Sequence, residues 1–261
     1  MFTNSPLAIS HPLLFTGFRK DSDLEPPLLG LVGWYDFSDT SKLNLTGTSI
    51  NSISDKSSKG FTLTAPTSGA RPTTSASVLT KQSAYFDGGD DALQGASWIT
   101  VGENSNYTVL SVTRLKNVVP GSSSRSVSGL ETTTNTRSNL SGYRSVSSVM
   151  NTRAYAGGNL LLGTPDKDIN YIHRIKFNKT ATEIHRNGTS VTGNAGGFGS
   201  VGLEGTLPSA VTLSIGRLAV AGLFPIDGWI GEVLIYRNTS ITDAIAIEAE
   251  NYLKLKWGIS Y

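Results

Sequence analysis

The 261-residue sequence predicts an all-β fold with one C-terminal helix, on three observations. Short apolar runs alternate with Gly, Ser, Asn and Asp clusters, as in a sandwich or barrel. Glycine is abundant at 28 residues, and charged residues make up only 16%, against about 25% in an average soluble domain. That balance favours strands and turns over long helices. A clear helical period of apolar residues occurs in one place, just before the C-terminus.

Residues 1–30 stand apart. Pro6, Pro12, Pro26 and Pro27 break any regular element, while Leu7, Ile9, Leu13, Leu14, Phe15 and Phe18 are too apolar for a solvated tail. The segment reads as an arm docked on its own domain or on a partner through Pro6, Leu7, Ile9, Leu13, Leu14, Phe15 and Phe18. Residues 31–261 then form a single domain. Strands are expected at 31–37, 83–86, 107–114, 171–178, 182–186, 211–215 and 229–236. In the last, Trp229, Val233 and Ile235 alternate with Ile230, Leu234 and Tyr236, so both faces are apolar, as in a central strand. Asn187-Gly188 tolerates positive φ at both central positions of a type I′ turn and predicts a hairpin joining 183–186 to 189–191. Residues 120–148, rich in Ser, Thr, Asn and Arg, read as a long exposed loop or an extended hairpin. For the helix, Ser240-Ile-Thr-Asp243 resembles a capping box, and Ile241, Ile245, Ala249, Tyr252 and Leu253 share one face. Glu250 and Lys254 are spaced for an ion pair, and Gly258 supplies the stop.

Composition narrows the function. The 22 basic and 20 acidic residues are scattered without a run, so the net charge of +2 leaves no electrostatic footprint for nucleic acid. The absence of cysteine removes disulfide scaffolds, thiol catalysis, zinc ribbons and iron–sulfur ligation. No window approaches the roughly 18–20 consecutive apolar residues of a membrane span. The N-terminus lacks a basic n-region and carries Pro6 and Pro12 where an apolar stretch would stand, so a Sec signal peptide is not expected.

An ordered set of landmarks runs through 31–259. It comprises Leu31-Val-Gly-Trp-Tyr-Asp36, Ser54-Asp-Lys-Ser-Ser-Lys-Gly60, Arg71-Pro-Thr73, Tyr85-Phe-Asp-Gly-Gly-Asp-Asp-Ala-Leu93, Ile215-Gly-Arg217 and Asp227-Gly-Trp-Ile-Gly-Glu-Val-Leu-Ile-Tyr236. Tyr252-Leu-Lys-Leu-Lys-Trp-Gly258 closes the series. Together they resemble the concanavalin A-like, laminin G-like jelly rolls of bacterial surface proteins and phage virion proteins. The resemblance implies two antiparallel sheets packed face to face, one often concave, with ligands held by loops at the rim. It departs in lacking the tryptophan that commonly precedes an aspartate such as Asp55, and in the length of 120–148. The superfold hosts lectins, glycosidases, adhesins and inert modules, so function must come from the site.

Asp87, Asp90 and Asp91, with Gly88-Gly89 between them, have the spacing to offer several oxygens to a Ca²⁺ ion, as similar jelly rolls do at their rims; equally, they cap a tight turn. No carboxylate pair spaced for retaining glycoside hydrolysis is evident. Glu183, Glu204 and Glu232 are isolated, and Glu232 reads as a structural acceptor. His173 and His185 read as solvated strand residues, drawn near each other by hairpin pairing. Trp34, Trp229 and Trp257 read as core, leaving Trp98 as the ligand-contact candidate. These readings point to a non-enzymatic, homo-oligomeric virion structural subunit of a phage, assembled in the host cytoplasm. Its arm would dock on capsid or tail proteins while the jelly roll faces outward and binds host-surface glycans. The alternative is a bacterial lectin-like carbohydrate-binding module.

Overall fold

The computed structural model describes residues 24–96, 98, 107–117, 124–131, 137–146, 149–155, 159–162, 167–177, 183–192, 212–218, 225–237 and 242–261. The arm residues Pro6, Leu7, Ile9, Leu13, Leu14, Phe15 and Phe18 lie outside them. In chain order the strands are β1 (Leu31–Asp36), β2 (Leu43–Thr46), β3 (Ser49–Ser54), β4 (Thr62–Thr64), β5 (Thr73–Leu79) and β6 (Lys81–Asp87). They continue as β7 (Leu93–Gly95), β8 (Tyr107–Leu115), β9 (Ser124–Glu131), β10 (Arg137–Val146), β11 (Val149–Tyr155) and β12 (Asn159–Leu162). The last are β13 (Asn170–Phe177), β14 (Glu183–Arg186), β15 (Thr189–Thr192), β16 (Thr212–Ile215) and β17 (Asp227–Arg237), followed by helix α1 (Asp243–Trp257).

The pairings are antiparallel and fall into two layers. One runs β5-β6-β17-β8-β13-β14-β15, with β1 beside the second half of β17 where β6 ends. The other runs β2-β3-β4-β7-β16-β9-β10-β11-β12. Ser49 opposite Thr73 links the two at one edge. Between the layers lies the main core, with Ala84, Phe86, Val109, Ile175, Ile184, Ile230, Val233 and Ile235 from the first meeting Ile50, Ile53, Leu63, Leu93, Val127, Leu213 and Ile215 from the second. The chain is an all-β sandwich of jelly-roll type with a single described helix, as the strand punctuation and the landmarks predict.

A second core lies on the other face of the first layer, where α1 packs Ala249, Tyr252, Leu253 and Trp257 onto Trp34, Leu110, Val112, Ile172, Leu234 and Tyr236. A sheet apolar on both faces needs two covers, and here the second sheet and the helix supply them. The alternation expected in β17 is shifted by one residue. A bulge between Ile230 and Glu232 places Trp229 on the helix side with Glu232, Leu234 and Tyr236, and Ile230 on the inner side with Val233 and Ile235. Gly231 occupies the bulge because a Cβ there would stand 2.6 Å from the Trp257 ring.

Local signals are met with adjustments. Asn187 and Gly188 take φ of 46° and 74°, so the predicted turn forms. The helix cap lies two residues after Ser240: it is Thr242, accepting from the Ile245 N–H, and Gly258 ends the helix at φ 59°. The expected Glu250–Lys254 pair gives way to a buried one, with Arg174 Nε 2.7 Å from Glu250 Oε2 and the Tyr261 hydroxyl also donating to Glu250. Lys254 lies over the Tyr261 ring instead. Within 120–148 the second of the two expected forms is found: β9 and β10 make an extended hairpin, and β9 pairs with β16 deep enough to bury Ser126, Val127 and Ser128, while 120–123, 132–136 and 147–148 lie outside the described residues. The motif at Asp55 is an internal brace, its carboxylate accepting from the backbone N–H groups of Trp34, Ser57 and Phe61.

Candidate functional site

At the end of the first layer beyond the helix, antiparallel register aligns a row of side chains across five strands. Thr73 stands opposite Tyr85, Tyr85 opposite Trp229, Trp229 opposite Arg114, and Arg114 opposite Asn170. The Tyr85 and Trp229 side chains are half-buried, with ring centroids 5.2 Å apart and planes tilted by 39°. The Arg114 guanidinium lies 6.0 Å from the Trp229 ring centroid, and Trp229 Nε1 donates to Ser75 Oγ at 3.1 Å. The row lies one step nearer the rim than Val112 and Glu232, which α1 covers. Gly228 holds β17 and β8 tightly together here, since a Cβ at this position would come within 2.3 Å of the Arg114 carbonyl oxygen.

A polar row follows at the rim. Asp87 stands opposite Asp227, whose backbone carbonyl accepts from the Lys116 N–H, and the Asp168 N–H bonds to the Leu115 carbonyl. Asp227 accepts from the Tyr85 hydroxyl at 3.2 Å and from Asn117 Nδ2 at 2.6 Å. Lys116 Nζ donates to the Tyr85 hydroxyl at 2.7 Å and sits 4.8 Å from that ring's centroid. Its hydrogen bond to Tyr85, with the charges of Asp227 and Asp87, raises the Lys116 pKa. Arg114 pairs with Asp168 at 3.5 Å. The surface thus combines flat apolar rings with hydroxyl, amide, carboxylate and cationic groups, which suits a ligand with an apolar face and a hydroxylated edge.

Asp87, Asp90 and Asp91 do converge, each bringing a carboxylate oxygen to within 4.8 Å of the others. Asp91 is buried, and its Oδ2 accepts from the Asp87 N–H at 2.9 Å, while Asp87 Oδ1 accepts from the Gly89 N–H at 2.7 Å. Two of the carboxylates therefore close the turn, as aspartates flanking glycines do. Burial, with the charges of Asp87 and Asp90, pushes the Asp91 carboxyl up to about 6. Three carboxylates are a partial oxygen set for Ca²⁺, which takes about 6–8 oxygen ligands.

The tryptophans exchange the roles expected of them. Trp98 is fully buried, its Nε1 donates to the Tyr35 hydroxyl at 2.9 Å, and its ring closes over Gly33, so it offers no face to a ligand. Trp229, read as core, does pack against the helix-side core but is only half-buried. Trp34 and Trp257 are core, as expected, and both donate to Glu232. Glu232 is indeed a structural acceptor, with no exposed surface. His173 is not solvated: it is 1% exposed, 3.3 Å from Thr113 Oγ1 through Nδ1, and burial beside the Arg186 charge lowers its pKa to about 3. His185 is half-buried beside Glu183, and it stands opposite Arg174 rather than His173. Glu204 lies outside the described residues. The row that sequence reading missed was detectable only in part: Tyr85 and Trp229 each precede a buried residue, but the bulge at Gly231 hides which face Trp229 takes.

No protein-family model matches the chain, and no curated protein does. Among solved structures, the chain is similar to Trypanosoma rangeli sialidase, with 14% identity, a TM-score of 0.55 and 87% of this chain covered. It spans 33% of that sialidase chain. Domain 4 of AbnA, a GH43 extracellular arabinanase from Geobacillus stearothermophilus solved with arabinotriose, matches at 13% identity and TM-score 0.53, covering 85% of this chain and 99% of that one. The botulinum neurotoxin serotype D binding domain matches at 9% identity and TM-score 0.53, covering 86% of this chain and 51% of that one. At these identities the likeness establishes the sandwich fold. No described helix is long and apolar enough to cross a membrane.

Proposed function

We propose that this protein is a non-catalytic glycan-binding β-sandwich module whose ligand lies along Thr73, Tyr85, Trp229, Arg114 and Asn170. The observation that carries the reading is the half-buried Tyr85–Trp229 pair, set in register with hydrogen-bonding side chains. Sugar rings present axial C–H groups to such faces and hydroxyls to such edges. The arabinanase domain solved with arabinotriose and the neurotoxin binding domain share the sandwich and are compatible with this use. Glu232 supports the non-catalytic part, because it is sealed from solvent by its hydrogen-bond donors.

The test is a glycan array followed by calorimetric titration of the best ligand. Trp229→Ala and Tyr85→Ala are each expected to weaken binding by about tenfold or more, which is about 1.4 kcal/mol, with cooperative melting retained. Equal binding by the variants, or no binding by the parent chain, overturns the reading.

A second reading, a phage virion subunit held by its N-terminal arm, draws on the only described part of that arm. Leu24 packs against the helix-side core and the Pro27 carbonyl accepts from the Tyr236 hydroxyl, yet Leu28 and Leu29 are 61% and 62% exposed. Two outward leucines beside an anchored stretch suit contact with a capsid or tail protein. Because Leu24 onward braces the domain, the deletion to make is residues 1–23. It is expected to abolish particle incorporation and leave the melting temperature unchanged; continued incorporation overturns this reading.

A further inference from the structure

Resting on the glycan-binding reading, we propose that the Tyr85–Trp229 surface takes uncharged and amine-bearing sugars and rejects carboxylated and sulfated ones. The rim beside the rings carries Asp87, Asp90, Asp91, Asp168 and Asp227, with Arg114 and Lys116 at the rings and Arg217 near Asp91. The carboxylates are contiguous: Asp87 pairs in register with Asp227, and its oxygens lie within 4.8 Å of those of Asp90 and Asp91. Asp168 flanks the row on the opposite side through Arg114.

Neither Arg114 nor Lys116 is placed to receive an acid from solution, and the charge of Arg217 is set against Asp91. Lys116 Nζ is bonded to the Tyr85 hydroxyl at 2.7 Å, with Asp227 bonded to that same hydroxyl. Arg114 is paired with Asp168 and lies over the Trp229 ring. Recognition of a carboxylated sugar calls for a guanidinium or ammonium whose donors turn toward the ligand, and here the donors turn toward carboxylates and rings. Burial raises the Asp91 carboxyl most, and the charges of Asp87 and Asp90 add to it while that of Arg217 opposes, so the neighbouring aspartates repel further negative charge. An arriving anion meets the exposed carboxylates of Asp87, Asp90 and Asp168, whereas an ammonium sugar finds acceptors in them. The preference therefore differs from that of a site built for sialic acid, although a sialidase shares the fold.

The experiment uses the full chain, in EDTA, on an array holding neutral oligosaccharides, their de-N-acetylated amine-bearing counterparts, and sialylated, uronic acid-containing and sulfated glycans. It is run at low and at physiological ionic strength. Amine-bearing glycans are expected to bind at least as well as their neutral counterparts, and acidic congeners about tenfold or more weakly at low salt. The gap is expected to narrow as salt screens the rim. The double variant Asp90→Asn, Asp168→Asn changes two exposed side chains, and asparagine tolerates the φ of 63° at position 168. It is expected to shrink the discrimination while neutral binding persists. Tighter binding of acidic glycans, or a double variant as selective as the parent, overturns this proposal and leaves the glycan reading standing. Binding to no class at either salt overturns the glycan reading, and the selectivity with it.

Discussion

Replacing Glu232 by alanine is expected to cost about 3–5 kcal/mol of folding free energy, a large share of the roughly 5–15 kcal/mol that holds a domain folded. The carboxylate has no exposed surface and accepts from Trp34 Nε1 at 2.6 Å, the Tyr252 hydroxyl at 2.7 Å and Trp257 Nε1 at 2.8 Å. Lys256 Nζ lies 2.8 Å from its second oxygen and 2.7 Å from Asp36, which Lys56 also contacts at 3.1 Å. Burial, with the charge of Asp36, raises the Glu232 pKa against the pull of Lys256 and Trp257. Removing the side chain strands three buried donors and an ammonium at once, and those groups are what fasten α1 to β1 and β17. Urea unfolding is expected to order the chains as parent, then Glu232→Gln, then Glu232→Ala. Tyr252→Phe, which removes a single donor, is expected to cost about 1 kcal/mol and keeps the comparison readable if the alanine variant does not fold. A loss in Glu232→Ala no larger than that of Tyr252→Phe refutes the clasp.

Acidification is expected to strip stability from the parent chain that a His173→Gln variant keeps. The ring is buried on the inner face of β13, opposite Ser111 of β8, with Arg186 opposite it on β14. Burial and the Arg186 charge lower its pKa from 6.5 to about 3, so between these values the unfolded chain holds a proton that the folded chain does not. Stability therefore falls as pH falls through that window, by about 2 kcal/mol on going from about pH 6.5 to about pH 4.5. Asp91 works in the opposite sense: its pKa is raised to about 6, so the folded chain binds its proton first and gains stability as pH falls toward 4. Urea midpoints at neutral and mildly acidic pH are expected to show a steeper acid loss in the parent, and a flattened or reversed slope in His173→Gln. Identical slopes would mean that His173 is already solvated in the folded chain.

The strands that the sequence reveals are those whose pattern is decided locally. Segment 229–236 is largely apolar on both faces because both faces are covered, and Asn187-Gly188 marks its hairpin because few other pairs accept positive φ twice in succession. Strands β2, β4, β7 and β10 escape such reading. They are short or polar, and pairing with neighbours distant in sequence is what makes them strands. The aspartate loop was legible as a cluster because Asp87, Asp90 and Asp91 are close in sequence. The Tyr85–Trp229–Arg114 row was not, because its members come from three strands and meet only through register.

Composition, turn chemistry and apolar period determined the fold class, the central strand and the closing helix, since each rests on the local cost of a conformation or the burial of one face. Which tryptophan meets solvent was decided only in three dimensions. One extra residue at Gly231 turns Trp229 outward with Glu232, and one glycine at position 33 lets Trp98 close over β1. Because strand side chains alternate with a period of two, a one-residue bulge reverses every face beyond it. The ligand surface of a sandwich is therefore set by register and bulges rather than by the residues read in order.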